Sequence, residues 1–230
     1  GTDAAPLEQA IAEGKILLSG RHLQHGDENQ SLRNMEVFTN CSTASQRALV
    51  FYLLLNGSGV GTSYDDDMCI LDWSRMPEVL PVIRSGYPDA GASEFPSLEE
   101  MKAELEIWKQ DYVVFTVPDS REGWAEAVQA VEDAVFTGDR RALVLDFSQV
   151  RCKGSPIGGM QDRPSSGPVP LMGALRRLNE IRGTRMPLWH QAMWIDHLFA
   201  EIVLVGGARR SARIAVKWWE DTDIIDFINV

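Results

Sequence analysis

The chain is poor in cysteine, short of positive charge and without a long apolar run, and each shortage closes off a class of function. Its 230 residues hold three cysteines, Cys41, Cys69 and Cys152, too few and too scattered for a disulfide framework or a zinc knuckle. Such sparse use is that of a protein kept in a reducing cytoplasm. No C-x-x-C pair occurs, which leaves an unrelated thiol oxidoreductase poorly supported. Lys and Arg number 22 against 33 Asp and Glu, for a net charge of −11. Binding to a nucleic-acid backbone is driven by clustered cations that release counterions, so nucleic acid is not expected as the main partner. The longest apolar stretches, such as Ala48 to Leu55, fall far short of the roughly 20 residues of a membrane span. The first residues, Gly1-Thr2-Asp3-Ala4-Ala5-Pro6, offer neither a basic segment nor an apolar core, and no export signal is expected from them.

What is present is an ordinary globular composition, 44% apolar and 24% charged. Turn and cap signals predict helices over Leu7 to Glu13, Ala44 to Leu55 (capped by Ser42 or Thr43), Ser97 to Lys109, Ser120 to Phe136, Val169 to Arg182 and Pro187 to Glu201, with a last one after Asp221-Thr222. Strands are predicted at Val60 to Ser63, Ile70 to Trp73, Tyr112 to Val117, Ala142 to Phe147 and Ala212 to Val216. Strands alternating with helices of about a dozen residues favour parallel βαβ units and an α/β fold. The stretch Gly154 to Pro168, with four glycines and three prolines, interrupts that alternation. Long loops without structure of their own tend to be functional or disordered.

Five segments could carry chemistry. Asn40-Cys41-Ser42 puts a thiol at the mouth of an apolar helix that runs into Gly57-Ser58-Gly59-Val60-Gly61. This glycine run follows a helix and leads into a strand, the reverse of a dinucleotide fingerprint. Its missing Cβ atoms would let a substrate touch backbone amides, or simply make a tight turn. Gly206-Gly207-Ala208-Arg209-Arg210-Ser211 sets two guanidiniums on a glycine hinge, which suits phosphate recognition as well as a solvated turn. Ser165-Ser166-Gly167-Pro168 leads into a helix whose first amides form a candidate anion site. Asp65-Asp66-Asp67 reads as a turn or cap before it reads as a Mg²⁺ site, because no further ligand spacing accompanies it. His190 and His197 lack H-E-x-x-H spacing, and Trp218-Trp219 suit a core or an interface.

Taken in order, Leu18-Ser19-Gly20-Arg21-His22-Leu23, Asn34 to Ser42, Asn56 to Gly61, Pro118-Asp119-Ser120-Arg121-Glu122-Gly123-Trp124, Ser165 to Pro170 and Gly206 to Ala212 resemble the catalytic chain of adenosylcobalamin-dependent (class II) ribonucleotide reductases of bacteria and their phages. The resemblance runs from about Ile16 to Val230, and six motifs in family order make it specific. It implies a ten-stranded α/β barrel, incomplete here, with residues 1–230 as its N-terminal part and an inserted effector-site region at about 74–140. Cys41 would then be one of two thiols that reduce the ribose. A thiyl radical on another cysteine removes the 3′ hydrogen, Cys41 helps the 2′-hydroxyl leave as water, and the thiol pair ends as a disulfide. Ser19, Asn40, Ser42 and Gly59 would border the ribonucleotide. Ser165, Ser166 and Gly167 would form the first specificity loop, and Arg209, Arg210 and Ser211 the second, which relays the identity of a bound deoxynucleoside triphosphate effector. Arg121 to Trp124 is similar to the single-chain form of the class, in which an insertion supplies what a partner subunit gives elsewhere. The expected cofactor is adenosylcobalamin, most of its site lying outside these residues, and the expected reductant is a thioredoxin-type protein or a small dithiol.

The departures matter equally. The family's radical-bearing cysteine lies in an Asn-x-Cys-x-Glu stretch beyond the second specificity loop, and no such stretch occurs. Neither Cys69 nor Cys152 stands in the context of the missing partner thiol. The chain is therefore expected to be inactive alone and to need a complementing C-terminal fragment, with an open barrel wall and exposed strand edges. The alternative is a non-catalytic deoxynucleotide-binding regulatory module derived from the same enzyme.

Overall fold

The computed structural model describes residues 4–17, 41–157, 163–205 and 209–230. The chain divides into two units, Gly1–Asn40 and Cys41–Val230. Of the first, α1 (Ala5–Ala12) is described, with Pro6 in its first turn, where the missing N–H has no helical partner to lose. Gly14, at φ +71°, follows its end. Ser19 and Asn40 lie outside the described residues.

The second unit runs β1 (Cys41–Thr43), α2 (Arg47–Leu55), β2 (Gly59–Ser63), β3 (Val79–Val82), α3 (Leu98–Ile107), β4 (Tyr112–Thr116), α4 (Arg121–Thr137), β5 (Ala142–Asp146), β6 (Pro156–Ile157), β7 (Arg163–Pro164), α5 (Val169–Arg177), α6 (Leu188–Ile202), β8 (Leu204–Val205), β9 (Arg209–Arg210), β10 (Ala212–Val216) and α7 (Ile224–Ile228). Two three-stranded sheets organise it, β1-β2-β10 and β3-β5-β4, both wholly parallel. The expected α/β class is observed. Among the described residues no barrel is closed.

The β3-β5-β4 sheet is the better buried. Its central strand is Ala142-Leu143-Val144-Leu145-Asp146, buried at every position, as a strand covered on both faces must be. One face packs with Met101 and Leu105 of α3 in a small cluster of Val82, Ala142 and Val144. Leu143 and Leu145 join the main core, which gathers Phe51 and Leu54 of α2, Val128 and Val131 of α4, Leu171 and Leu175 of α5, and Ile195 and Phe199 of α6. α3 opens with a complete capping box, Ser97 accepting from Glu100 N while the Glu100 carboxylate accepts from Ser97 N.

Four differences from the sequence reading have physical reasons. The helix expected from Ala44 starts at Arg47, because Cys41-Ser42-Thr43 instead pairs with β2. Ser42 Oγ is 2.9 Å from Ser58 Oγ and does not cap the helix. No strand forms at Ile70 to Trp73. Asp72 and Gln191 both accept from Ser74 N and wind Trp73–Arg75 into a short 3₁₀ turn. β3 escaped prediction because Pro81 sits inside it, a residue tolerated on an edge strand such as this one. The loop from Gly154 to Pro168 has structure of its own, the short β6-β7 ladder pairing Pro156 with Pro164.

Candidate active site

The β1-β2-β10 sheet places the candidate thiol. Cys41 is in register with Gly59 on the central strand, and Gly59 with Ala212 on the far side. The three therefore form one row at the N-terminal end of the sheet. Alternation puts Cys41, Thr43, Gly59, Gly61, Ala212, Ile214 and Val216 on one face. That face is open: Cys41 is exposed, as are Ile214 and Val216. On the opposite face Val60 and Thr62 are buried against the helices. With no side chain on Gly59, no wall rises next to Cys41 in the row, so a ligand lying on this face can reach both thiol and backbone. Ser42 points to the other face, beside Ser58.

The other thiols are different. Cys69 is buried, and burial pushes its thiol up to about 11; it stays protonated and unreactive near neutrality. Cys152 is half-buried with its sulfur 3.3 Å from Ser155 Oγ. All three cysteines are unpaired.

The segment between α6 and β10 links the cavity beside the Ser165 loop to the Cys41 row. Leu204 pairs with Arg210 and Val205 with Arg209, so 204–210 is a β-hairpin on the chain between α6 and β10. Gly206, Gly207 and Ala208 lie outside the described residues, and Arg209 and Arg210 are described by backbone alone. The Ser211 hydroxyl donates to Ala200 O of α6 at 2.5 Å, closing the base of the hairpin. Ala212 then enters the Cys41 row.

On the entering side of the same base, Ile202 and Val203 line a cavity of ≈ 120 Å³ that also takes in Ser165, Ser166, Asp119, Ser120, Arg121, Trp124 and Arg151. Ser165 Oγ accepts from Gly167 N at 3.1 Å, and Gly167 adopts φ +71°, the left-handed conformation that glycine supplies without strain. The helix start at this cavity is that of α4, where Ser120 Oγ accepts from Gly123 N at 2.9 Å. Arg121 donates to Asn56 Oδ1, and Arg151 holds the Asp119 carboxylate with its Nε at 3.0 and 2.9 Å from the two oxygens. Two guanidiniums, a helix start, two serines and an indole thus converge, a donor set suited to a phosphorylated aromatic ligand.

Gly123 makes this corner feasible. A Cβ there would meet the Pro118 carbonyl oxygen and lie 2.7 and 2.8 Å from Pro118 Cβ and Cδ. Because the obstruction is rigid, Gly123→Ala is expected to destabilise the chain by about 1–3 kcal/mol, read from the urea midpoint.

Other candidates resolve into structure. Asp65 accepts from Ser63 Oγ at 2.6 Å and from Trp218 N at 2.5 Å. Asp66, Asp221 and Asp223 converge on Lys217, whose Nζ lies 2.8, 2.8 and 3.3 Å from them. Burial alone would lower that ammonium, but the three carboxylates hold it above its ordinary value, so it supplies the counter-charge there. His190 stacks on Trp189 at 5.1 Å, and His197 lies 3.3 Å from Glu201. Trp218 and Trp219 are exposed, so neither is core. No described helix is long and apolar enough to cross a membrane.

Comparison with known proteins gives this arrangement a class and then a family. The crystal structure of a B12-dependent (class II) ribonucleotide reductase shares the fold over 80% of this chain and 26% of that one, with a TM-score of 0.55 and 24% identity. A family profile described as the insertion domain of B12-dependent ribonucleotide reductase matches residues 89–182. An adenosylcobalamin-dependent ribonucleoside-triphosphate reductase of Lactobacillus delbrueckii subsp. bulgaricus is 35% identical across 77% of this chain and 25% of its own. The reductase of the same name from Lactobacillus gasseri is 29% identical over the same shares, 77% and 25%. A chain of Mycobacterium phage D29 that provisionally carries this name is 30% identical across 97% of this chain and 34% of its own. This chain belongs to the class II, adenosylcobalamin-dependent ribonucleotide reductase family, as a segment homologous to an N-terminal part of its members. It spans about a quarter to a third of the length of these relatives.

Several residues that shape the site escaped the sequence reading. Arg151, Ile202 and Val203 carry no local signal. Arg47, Glu132 and Asp196 could have been suspected, being charges at positions where the helical period asks for an apolar side chain.

Proposed function

We propose that this chain is the part of a ribonucleotide reductase that supplies one redox thiol, Cys41, together with the loops through which a deoxynucleoside triphosphate chooses the substrate. One observation carries the reading: residues 202–212 run from the cavity, lined by Ile202 and Val203, to the row that contains Cys41, entered by Ala212. A ligand in the cavity and a substrate on the open face would thus touch the entering and the leaving side of one hairpin at its base. In the complete enzyme the open face, with its exposed Ile214 and Val216, would be the inner wall of a ten-stranded barrel continued by the remaining polypeptide. The region expected at about 74–140 would be the insertion, overlapping the 89–182 match.

On this reading Cys41 gives a proton to the departing 2′-hydroxyl, which leaves as water. Cys41 and a second thiol from the remainder of the enzyme then join as a disulfide, releasing the two electrons the ribose gains, and a dithiol restores the pair. Gly59 borders the ribonucleotide on the open face, with Ser19 and Asn40 as further contacts, while Ser42, turned to the other face beside Ser58, supports the strand from behind. Ser165, Ser166 and Gly167 hold the effector, helped by Arg121, Arg151 and Trp124, while Arg209, Arg210 and Ser211 pass its identity on. Adenosylcobalamin would initiate the radical that the reaction requires. The described residues do not fit it by themselves, since His190 is stacked on Trp189 and His197 paired with Glu201, and its site is assigned to the remaining polypeptide.

Titrating the chain with each deoxynucleoside triphosphate, followed by tryptophan fluorescence, tests the effector half. Saturable quenching is expected, weakened about tenfold by Arg121→Ala, the scale of one lost charge-assisted contact. Arg209→Ala and Arg210→Ala should weaken it as well, and no binding by the wild-type chain would sink the effector assignment. The second reading, a non-catalytic regulatory module, draws on the buried Cys69 thiol, which offers Cys41 no partner within this segment. Binding that persists when no complementing fragment yields deoxynucleotide would favour it.

A further inference from the structure

Asp196 is a buried carboxylate that none of the roles above uses. It is 1% exposed on α6, the helix leading into the 204–210 hairpin. Its Oδ1 lies 3.1 Å from Arg47 Nε. Its Oδ2 accepts from Tyr64 Oη at 2.5 Å and from Arg213 at 3.1 Å. These partners mark the three strands of the open sheet. Arg47 begins α2, just after β1; Tyr64 directly follows β2; Arg213 is the second residue of β10. Arg213 also donates to Tyr64 Oη. A single carboxylate therefore ties together the segments that carry Cys41, Gly59 and the hairpin's exit.

We propose that Asp196 is a positioning residue through which displacement of the hairpin reaches the strand bearing Cys41. The hairpin enters from α6 and leaves into β10, and its leaving end is tied back to α6 twice, by Ser211 to Ala200 O and by Arg213 to Asp196. Any shift of β10 relative to α6 must stretch or carry the Arg213–Asp196 pair. Buried pairs of this kind resist separation, since a partner left behind is an uncompensated charge in a dry interior. The pair therefore moves as a unit, and Arg47 moves with it. Glu132, from the helix whose first turn lines the cavity, completes the charge balance by holding Arg47 N and Ala48 N. The regulatory meaning rests on the proposed effector role of the hairpin; the mechanical linkage does not.

The test needs no nucleotide, so its outcome is separable from that of the effector titration. The measured quantity is the alkylation rate of Cys41 in the full chain, resolved by peptide mass spectrometry. Arg213→Met is expected to change this rate roughly fivefold, and to change it hardly at all when made on top of Asp196→Asn, a coupling of the size contacting residues show. Equal effects of Arg213→Met in both backgrounds would overturn the proposal, as would no effect in either. Should Asp196→Asn fail to fold, Tyr64→Phe keeps every charge and removes the hydroxyl that bonds both Asp196 and Arg213. It is expected to reduce the Arg213→Met effect, and an undiminished effect there would equally count against the linkage.

Discussion

Replacing Cys41 by serine is expected to abolish deoxynucleotide formation when the chain is combined with the C-terminal remainder of a class II reductase, adenosylcobalamin, a ribonucleotide and a dithiol. The loss should be roughly 10⁴-fold or more, the scale on which removal of a reacting group acts. Serine can donate a proton and hydrogen-bond much as cysteine does, but it cannot end as half of a disulfide, so the two reducing electrons have no source. Cys41 is exposed and begins a short edge strand, so the substitution should shift stability by no more than about 0.5 kcal/mol. Loss of turnover without loss of fold is therefore the expected pair of results. Cys69→Ala and Cys152→Ser provide the contrast, since neither residue lies on the open face of the sheet and both variants should retain turnover. Undiminished product from the Cys41→Ser mixture would remove the chain's assigned part in the chemistry.

The candidate thiol is legible in the sequence because its signal is local. Cys41, the Gly57 to Gly61 run and the Gly206 to Ser211 run announce themselves by composition, and the order of six motifs gives the family. Secondary structure is legible wherever a cap or a period stands alone: Ser97 and Ser120 do cap α3 and α4. It is hidden where a distant partner decides. Ser42 and Thr43 are good caps by type, yet their strand pairs with β2, and the cap of α2 comes from Glu132, 85 residues away from Arg47. Pro81 hides a strand because only the sheet order reveals that β3 is an edge. The convergence of Ser165, Arg121 and Ile202 on one cavity is a property of the packing of three separate segments. No window along the chain contains it.

Glu132 gives the second prediction. It falls on the apolar stripe of α4, with Ala127, Val128, Val131 and Val135, where a carboxylate makes sense only if something buried needs it. Its two oxygens accept from Arg47 N at 2.7 Å and Ala48 N at 2.9 Å, serving the N-terminus of α2, whose own N-cap residue Gln46 makes no side-chain cap bond. Glu132→Ala leaves two buried amides without acceptors and removes a charge facing the buried Arg47. The expected cost is about 3–5 kcal/mol, a large share of the roughly 5–15 kcal/mol by which a domain is stable, measured by urea unfolding. Glu132→Gln keeps one acceptor and should cost less, about 1–3 kcal/mol. The two forms should also differ in pH response. Burial raises the Glu132 carboxyl above its ordinary value, against the amide bonds from Ala48 and Arg47 and the charge of Arg47. A folded-state value above the unfolded one means the native chain binds that proton more tightly. The corresponding stability is fully present below the unfolded value of 4.5 and is lost as pH rises through the folded value. Subtracting the pH–stability curve of Glu132→Gln from that of the wild type should reveal this falling slope; a difference that rises with pH would show that the carboxylate is favoured by its site instead. Because Glu132 joins the cavity helix to the helix that follows Cys41, the Glu132→Ala variant should lose both structures together, and a chain that kept its nucleotide affinity at this stability cost would show the two ends of the site to be held independently.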